Sequence, residues 1–269
     1  MYICIDIGGT KTLVASLTND GIIHESLRFP TPESYDAFLE TLGKTINSLD
    51  TRDFRAGAVA APGTIDRHRD VVVACGNLTW KNVHLARDVE RLTHCPIRLE
   101  NDAKLGGLSE AMLLKNKYKK VLYVTISTGI GVGLIENGVI DTTLADGGGR
   151  TMLLEQHGKL TPWEDFASGR AIVRKYGKQA SEITDPKIWA QIVRKLSPGF
   201  IELIAILDPD IIVVGGGVGH YFDQFGDLLL KDLKRYETPT LELPPFVGAR
   251  RADEAVLYGC YDYARQKYA

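Results

Sequence analysis

Two glycine-rich segments repeat one pattern, and this internal repeat limits the possible folds more than any other feature of the chain. Residues 5–23 read as a strand, a Gly-Gly-Thr turn, a second strand and an Asp-Gly hairpin into a third strand. Residues 124–140 read as a strand, a Ser-Thr-Gly turn, a second strand and an Asn-Gly hairpin. Both dipeptides favour tight hairpins. Such a duplication predicts two similar half-domains that face each other across a cleft.

The two turns are suited to binding phosphate groups. Their glycines and hydroxyl or amino side chains are Gly8, Gly9, Thr10, Lys11, Thr128 and Gly129. Glycine lets the backbone approach a ligand closely, and free N–H groups are good donors to anions. The first turn is neither a Walker phosphate loop nor a dinucleotide fingerprint, because its spacing differs and a hairpin rather than a helix follows it.

One carboxylate lies directly before the first turn. The isoleucines at positions 3, 5 and 7 alternate with it, so Asp6 lies on the opposite face of its strand. An aspartate near the end of a buried strand, just before a phosphate-type turn, is well placed to hold Mg²⁺ directly or through water. The alternative is a turn aspartate that caps Gly8 or Gly9. We favour the metal site, because the glycine turn follows immediately.

Two polar residues, Asn101 and Asp102, follow an apolar strand and open a helix. Open α/β folds place ligands at the carboxyl ends of strands. Asp102 is therefore a candidate general base for a hydroxyl that attacks a phosphate, a reaction that depends mainly on positioning and charge stabilisation. In the alternative interpretation, Asn101 or Asp102 caps the helix. The residues alone do not separate the two.

Composition excludes several classes of protein. Lys and Arg number 32 against 34 Asp and Glu, so no preference for nucleic acid or anionic membranes is indicated. No apolar stretch approaches the roughly 20 residues of a membrane helix, and the chain begins directly with a strand, so we expect neither a membrane span nor a signal peptide. The four cysteines lack zinc-finger or redox spacing. We therefore expect reduced thiols and a cytoplasmic protein.

Five segments, taken together and in order, resemble the ROK family of sugar kinases and related repressors, within the actin-like ATPase superfamily. They are Asp6-Ile7-Gly8-Gly9-Thr10-Lys11, Ala61-Pro62-Gly63, Glu100-Asn101-Asp102, Ser127-Thr128-Gly129-Ile130-Gly131 and Gly215-Gly216-Gly217. The resemblance covers nearly the whole chain. It implies an α/β fold with two actin-like ATPase (ribonuclease H-like) domains around a central cleft, formed by residues 1–103 plus 255–269 and by residues 104–254. Within the second domain, Pro198 predicts a kink or break in a helix near residues 187–206.

The resemblance implies an ATP-dependent sugar kinase of carbohydrate metabolism that transfers the γ-phosphate to a hydroxyl of a hexose or hexose derivative. Asp102 would be the base, Asp6 would hold Mg²⁺, and both turns and the glycine run 215–217 would bind the nucleotide. The implied sugar contacts are Gly63, Asn77, Asn101, Asp102 and Glu164. For Asn77, an ordinary turn residue is an equal alternative. We expect ATP and a sugar as the small-molecule partners, and a homodimer.

Residues 147–151 depart from the family pattern. Typical members carry Gly-Glu-x-Gly-His and then a cysteine-rich zinc loop. Aligned on Met152, Gly148 stands in place of the glutamate and Thr151 in place of the histidine, while Arg150 adds a cation. This departure supports an alternative function, a non-catalytic or repurposed ROK-fold protein that binds a sugar or nucleotide. A regulator of the same family would carry an N-terminal helix-turn-helix, which we do not expect here.

We expect no structural zinc in this protein, because the zinc-binding members use a cysteine cluster with a histidine. Here no cysteine lies between Cys95 and Cys260. Elemental analysis of the untagged protein tests this expectation. Stoichiometric zinc would show that the segment around residues 147–151 has been misaligned.

Overall fold

A computed structural model describes residues 1–115, 117–251 and 254–268. The strands are β1 (Tyr2–Ile7), β2 (Lys11–Leu17), β3 (Ile23–Pro30), β4 (Ala56–Ala61), β5 (Gly63–Asp66), β6 (Val71–Cys75), β7 (Lys81–Val83), β8 (Ile97–Asn101), β9 (Lys120–Ile126), β10 (Ile130–Glu136), β11 (Val139–Ile140), β12 (Leu153–Gln156), β13 (Lys159–Pro162), β14 (Ile211–Gly215) and β15 (Phe246–Gly248). The helices are α1 (Tyr35–Asn47), α2 (Leu85–Thr93), α3 (Asp102–Leu113), α4 (Gly148–Thr151), α5 (Trp163–Ala167), α6 (Gly169–Tyr176), α7 (Pro186–Leu207), α8 (Gly216–Gly219), α9 (Phe222–Leu233) and α10 (Ala255–Tyr268). Within these described ranges, no helix combines the length and apolar character needed to cross a bilayer.

The chain divides into two compact units. Unit 1 comprises Met1–Ser109 and Glu254–Ala269, and unit 2 comprises Glu110–Asp253. The division falls inside α3, later in the chain than the bound at residue 103 that the sequence suggested.

Each unit contains a five-stranded mixed sheet, and the two sheets share one topology. In unit 1 the order is β3-β2-β1-β4-β8, and in unit 2 it is β11-β10-β9-β14-β15. In both, the first three strands in sequence form an antiparallel meander, and the two later strands run parallel to the first. The repeat predicted from the two glycine-rich segments is therefore confirmed at the level of strand order and direction.

The hairpin residues have the backbone conformations that their sequence predicts. Asn137 and Gly138 connect β10 to β11 with φ of 52° and 77°. Positive φ at both central residues is the requirement of a type I′ turn, which explains the Asn-Gly pair. In the first hairpin, Gly21 has φ of 77°, and its N–H donates to Thr18 O at 3.0 Å.

The core of unit 1 packs α1 against β1. The isoleucines at positions 3, 5 and 7 are fully buried, as are Phe38 and Leu42 on the apolar face of α1. Trp80 is 3% exposed, its ring lies 4.5 Å from that of Phe38, and its indole N–H donates to Glu33 O at 2.9 Å. Trp80 is thus a core residue, as expected for a large aromatic side chain whose polar atom has a partner.

The core of unit 2 forms around α7, which continues through Pro198. Of the expected kink or break, the break does not occur, since the helix runs without interruption from Pro186 to Leu207. Proline removes one helical hydrogen bond. Leu196 and Phe200, on either side of it, are both fully buried. Each such side chain contributes roughly 1.5–3 kcal/mol of burial energy, which offsets the missing bond.

Gly199 of α7 lies so close to the Trp163 indole that a Cβ atom would overlap the ring. We therefore expect Gly199→Val to lower the free energy of unfolding by about 1–3 kcal/mol or more, as overpacking of a core does. Ala205→Val, at an exposed position of the same helix, should cost less than about 1 kcal/mol. Urea unfolding followed by circular dichroism measures both. Equal midpoints for the two variants would contradict a packing limit at Gly199.

Candidate functional site

The first glycine turn connects β1 to β2 and is braced by Thr31. The Gly8 N–H donates to Lys11 O at 2.9 Å and closes the turn. The Thr31 hydroxyl donates to Gly8 O at 2.8 Å, and its N–H donates to Thr10 O at 3.1 Å. Gly9, Thr10 and Lys11 are exposed at the tip. Thr31 escaped the sequence analysis, because a threonine after a strand carries no distinguishing pattern.

Asn77 and Gly63 lie in the same unit as this turn. A Cβ atom on Gly9 would stand only 2.8 Å from the Asn77 Cβ, so the close contact requires glycine. Gly63 opens β5 with φ of 146°, and a Cβ there would lie 2.8 Å from the Cys75 Cα. The structure thus brings Asn77 to the first turn.

Asn101 caps α3. Its Oδ1 accepts the N–H groups of Ala103 at 3.0 Å and Lys104 at 3.3 Å, and its amide donates to Gly63 O at 3.0 Å. The capping interpretation left open by the sequence is therefore correct for Asn101. Asp102, the first helical residue, accepts the Ala103 N–H at 2.8 Å and is partly exposed.

Asp6 and Asp102 interact electrostatically. The pKa of Asp6 is raised to about 7, mainly by removal from water and also by the neighbouring Asp102 carboxylate, while Lys11 acts in the opposite direction. The two carboxylates meet because β1, β4 and β8 are parallel, so their carboxyl ends lie at one edge of the sheet. Among the described residues, no group of three or more His, Cys, Asp or Glu side chains is arranged to hold a metal ion. One or two carboxylates nevertheless fit Mg²⁺, which keeps several waters and shares substrate phosphates.

The second glycine turn, in unit 2, is held by Glu164. Its Oε2 accepts the Ile130 N–H at 3.2 Å, and a Cβ on Gly129 would stand 2.6 Å from that oxygen. The other oxygen, Oε1, accepts from Arg150 Nε at 3.2 Å. The Glu164 side chain is 15% exposed and that of Arg150 is 51% exposed. Glu164 therefore lies directly at the second turn.

Residues 147–151, which differ from the family pattern, pack directly onto β10. Gly148 has φ of 49°, and a Cβ there would lie 2.5 Å from Ile130 O. A Cβ on Gly149 would lie 2.7 Å from the Ile130 Cβ. A glutamate at position 148 would be strained in both conformation and space. This backbone therefore requires glycine at position 148 and leaves little room for a side chain at position 149.

The glycine run after β14 lies beside the end of β9. Gly216 has φ of 80°, and a Cβ there would stand 2.6 Å from both Ile126 O and Thr125 Oγ1. Gly217 is exposed, and its missing Cβ has no atom within 4 Å. The backbone therefore requires glycine at position 216. Gly217 instead leaves open space at the surface of unit 2, the unit that contains the second turn.

The chain is similar to characterised sugar kinases over nearly its whole length. It is 26% identical to a glucokinase of Streptomyces coelicolor, covering 99% of this chain and 98% of that one. It is 27% identical to an N-acetyl-D-glucosamine kinase of Haemophilus influenzae, covering 96% and 97%.

Solved structures share the fold. A ROK hexokinase from Thermus thermophilus superimposes with a TM-score of 0.81 at 27% identity, covering 99% of this chain and 98% of that one. A ROK family glucokinase from Streptomyces griseus, solved with glucose and AMPPNP, gives 0.84 at 23% identity, covering 98% and 99%. The ROK family model matches residues 2–267, and with the shared strand topology and glycine turns this shows that the chain belongs to the ROK family.

Proposed function

We propose that this protein transfers the γ-phosphate of ATP to a hydroxyl of a hexose or hexose derivative, with Asp102 as general base. The observation that carries the proposal is the placement of Asp102. Asp102 opens α3 at the sheet edge where β1, with Asp6 as its penultimate residue, also ends, within a ROK chain whose relatives include glucokinase and N-acetylglucosamine kinase.

In the proposed reaction, the sugar hydroxyl oxygen forms a bond to the γ-phosphorus, while the bond from that phosphorus to the bridging oxygen of ADP breaks. The hydroxyl proton passes to Asp102. Such transfers depend on positioning and on stabilisation of the phosphate charge. Asp6 would hold Mg²⁺, which when bound neutralises charge on the phosphates.

Nucleotide binding is assigned to the two glycine turns and to the run 215–217. In each turn, exposed residues present N–H groups and hydroxyls that suit phosphate oxygens, chiefly Gly9, Thr10 and Thr128. The open space at Gly217 suits a flat ring laid against the backbone.

Sugar binding is assigned to Gly63, Asn77, Asn101, Asp102 and Glu164. The Asn101 amide uses one N–H on Gly63 O, and its second N–H would donate to a sugar hydroxyl. Carboxylate oxygens accept several hydrogen bonds, so Glu164 would serve the sugar while holding the second turn.

A purely binding role is less well supported than catalysis. The altered segment at 147–151 favours it, but Asp6 and Asp102 are both present and close enough to interact. We further propose that the kinase works in the cytoplasm as a homodimer.

A coupled ADP-release assay with Mg·ATP across neutral, amino, N-acetylated and acidic hexoses tests the proposed activity. We expect turnover of at least one sugar, and poor turnover of plain glucose, because Gly148 and Thr151 replace two hydrogen-bonding ligands of the family. Glucose turnover with kcat/KM above about 10⁴ M⁻¹s⁻¹ would contradict the substrate expectation. Absence of turnover with every sugar would contradict the kinase assignment.

Asp102→Asn should lower kcat for the sugar found in that screen by roughly 10²–10⁴, the usual contribution of one general base. The amide keeps the size of the side chain but cannot take the proton. Affinity for Mg·AMP-PNP, measured by calorimetry, should stay within about threefold. Near wild-type kcat in the folded variant would show that Asp102 is not the base.

Gly217→Val should weaken Mg·AMP-PNP binding about tenfold or more without loss of stability, because the new side chain enters open space that we assign to the nucleotide. Gly129→Ala should also weaken binding, since its Cβ displaces the Glu164 carboxylate that holds the second turn. Calorimetry measures affinity and thermal unfolding checks the fold. Unchanged affinity in both folded variants would contradict the nucleotide assignment.

The raised pKa of Asp6 predicts a pH-dependent stability. In the folded protein this carboxyl ionises near pH 7, whereas in the unfolded chain it ionises near 3.8. The free energy of unfolding of the wild type therefore falls as pH rises from about 4 to about 7. Above pH 7 the contribution of Asp6 to it no longer changes. We expect Asp6→Asn to be more stable than wild type by about 2–4 kcal/mol at pH 8 without Mg²⁺.

That advantage should shrink by more than half at pH 5, as urea titrations at the two pH values would show. Mg·AMP-PNP should stabilise the wild type more than Asp6→Asn. An advantage independent of pH would mean that the Asp6 carboxyl is not the source of the penalty.

A further inference from the structure

The carboxylate of Glu100 is fully buried at the end of β8, and Arg67 neutralises it. Arg67 Nε donates to Glu100 Oε2 at 2.9 Å, and Arg67 Nη2 donates to Oε1. The Glu100 side chain has no exposed surface, and that of Arg67 is 26% exposed. This two-point contact of guanidinium on carboxylate is the strong, directional form of an ion pair. A buried carboxylate that loses such a partner is left with an uncompensated charge.

The same Glu100 oxygen holds the backbone that leads to the base. Its Oε1 accepts the N–H of Asn101 at 2.7 Å. From there, Asn101 Oδ1 and Asp102 Oδ1 both accept the Ala103 N–H. A continuous series of contacts therefore runs from the Arg67 guanidinium through Glu100 to the turn that presents Asp102.

Neighbouring contacts shape the turn that carries Arg67 and engage Arg98 elsewhere. Arg67 follows β5, and Asp66 Oδ1 accepts the N–H groups of His68 and Arg69, both at 3.1 Å, which shapes the turn that carries Arg67. On β8 itself, Arg98 stacks 3.4 Å above the Tyr263 ring and donates to Tyr263 O at 2.9 Å. Arg98 thus fastens β8 to α10.

We propose that Arg67 is a positioning residue for phosphoryl transfer: it acts through Glu100 to fix the Asn101–Asp102 turn from which the base works. This inference rests on the proposed function of Asp102. It adds a residue outside all five family segments, in a turn that the sequence analysis left without a role.

Arg67→Met tests the proposal, with Arg69→Met as the matched control on the same turn. The Arg69 side chain is 69% exposed, and its contact with Asp66 is long, at 4.0 Å. We expect Arg67→Met to lower kcat about 10- to 100-fold while KM for ATP stays within about twofold, and Arg69→Met to leave both unchanged. Arg67→Lys should recover only part of kcat, since an ammonium cannot reproduce the two-point contact.

A double-mutant cycle with Glu100→Gln separates positioning from general destabilisation. If Arg67 acts through Glu100, Arg67→Met should change kcat less than threefold in the Glu100→Gln background. The double variant carries no unpaired buried charge, so it should fold even where Arg67→Met alone does not. A full loss of kcat in both backgrounds would overturn the proposed route through Glu100.

Amide hydrogen exchange of residues 101–104 gives a readout that does not depend on activity. Arg67→Met should speed exchange there at least tenfold relative to Arg69→Met. If the wild type turns over no sugar, or Asp102→Asn stays active, the proposed function fails. In that case the amide hydrogen exchange measurement alone decides whether Arg67 positions residues 101–104. Unchanged exchange, or wild-type kcat in folded Arg67→Met, overturns the inference.

Discussion

The parallel alignment of β1, β4 and β8 is the constraint on which the candidate catalytic region depends. Parallel strands end at one edge of a sheet, so three segments far apart in sequence deliver Asp6, Gly63 and Asp102 to one place. No local conformational preference could bring these three residues together. The antiparallel meander of β1–β3 supplies the glycine turn at that edge, and Thr31 braces it from the end of β3.

Buried charge is the main cost of this arrangement. Asp6 and Asp102 are close enough for the second to raise the pKa of the first, and burial raises it more. The pair therefore costs folding free energy, and under the proposed function a cation at Asp6 would remove that cost. Nearby, the Glu100 carboxylate is also buried, but Arg67 compensates its charge within the protein. The Glu100 carboxylate is thus used to hold the backbone at Asn101.

Close approach of backbones explains several glycines that a motif alone leaves unexplained. Gly148 and Gly216 have positive φ and no room for a side chain, whereas Gly217 has open space around it. This distinction matters for residues 147–151. A side chain at position 148 would meet the backbone of β10, so this packing in unit 2 requires glycine there.

The sequence alone determined the family, the repeated strand order and the positions of the two hairpins, because hairpin dipeptides, strand periodicity and glycine motifs are local signals. It also placed Asp102 at a strand-to-helix junction, but it could not decide whether Asn101 caps the helix. Only tertiary structure showed the cap, the continuation of α7 through Pro198, the bracing by Thr31 and the Arg67–Glu100 pair. The bracing by Thr31 and the Arg67–Glu100 pair join residues distant in the chain. The Asn101 cap is local, but the Asn101 amide is held by the distant Gly63 O, and burial on both sides of Pro198 outweighs the local preference of proline.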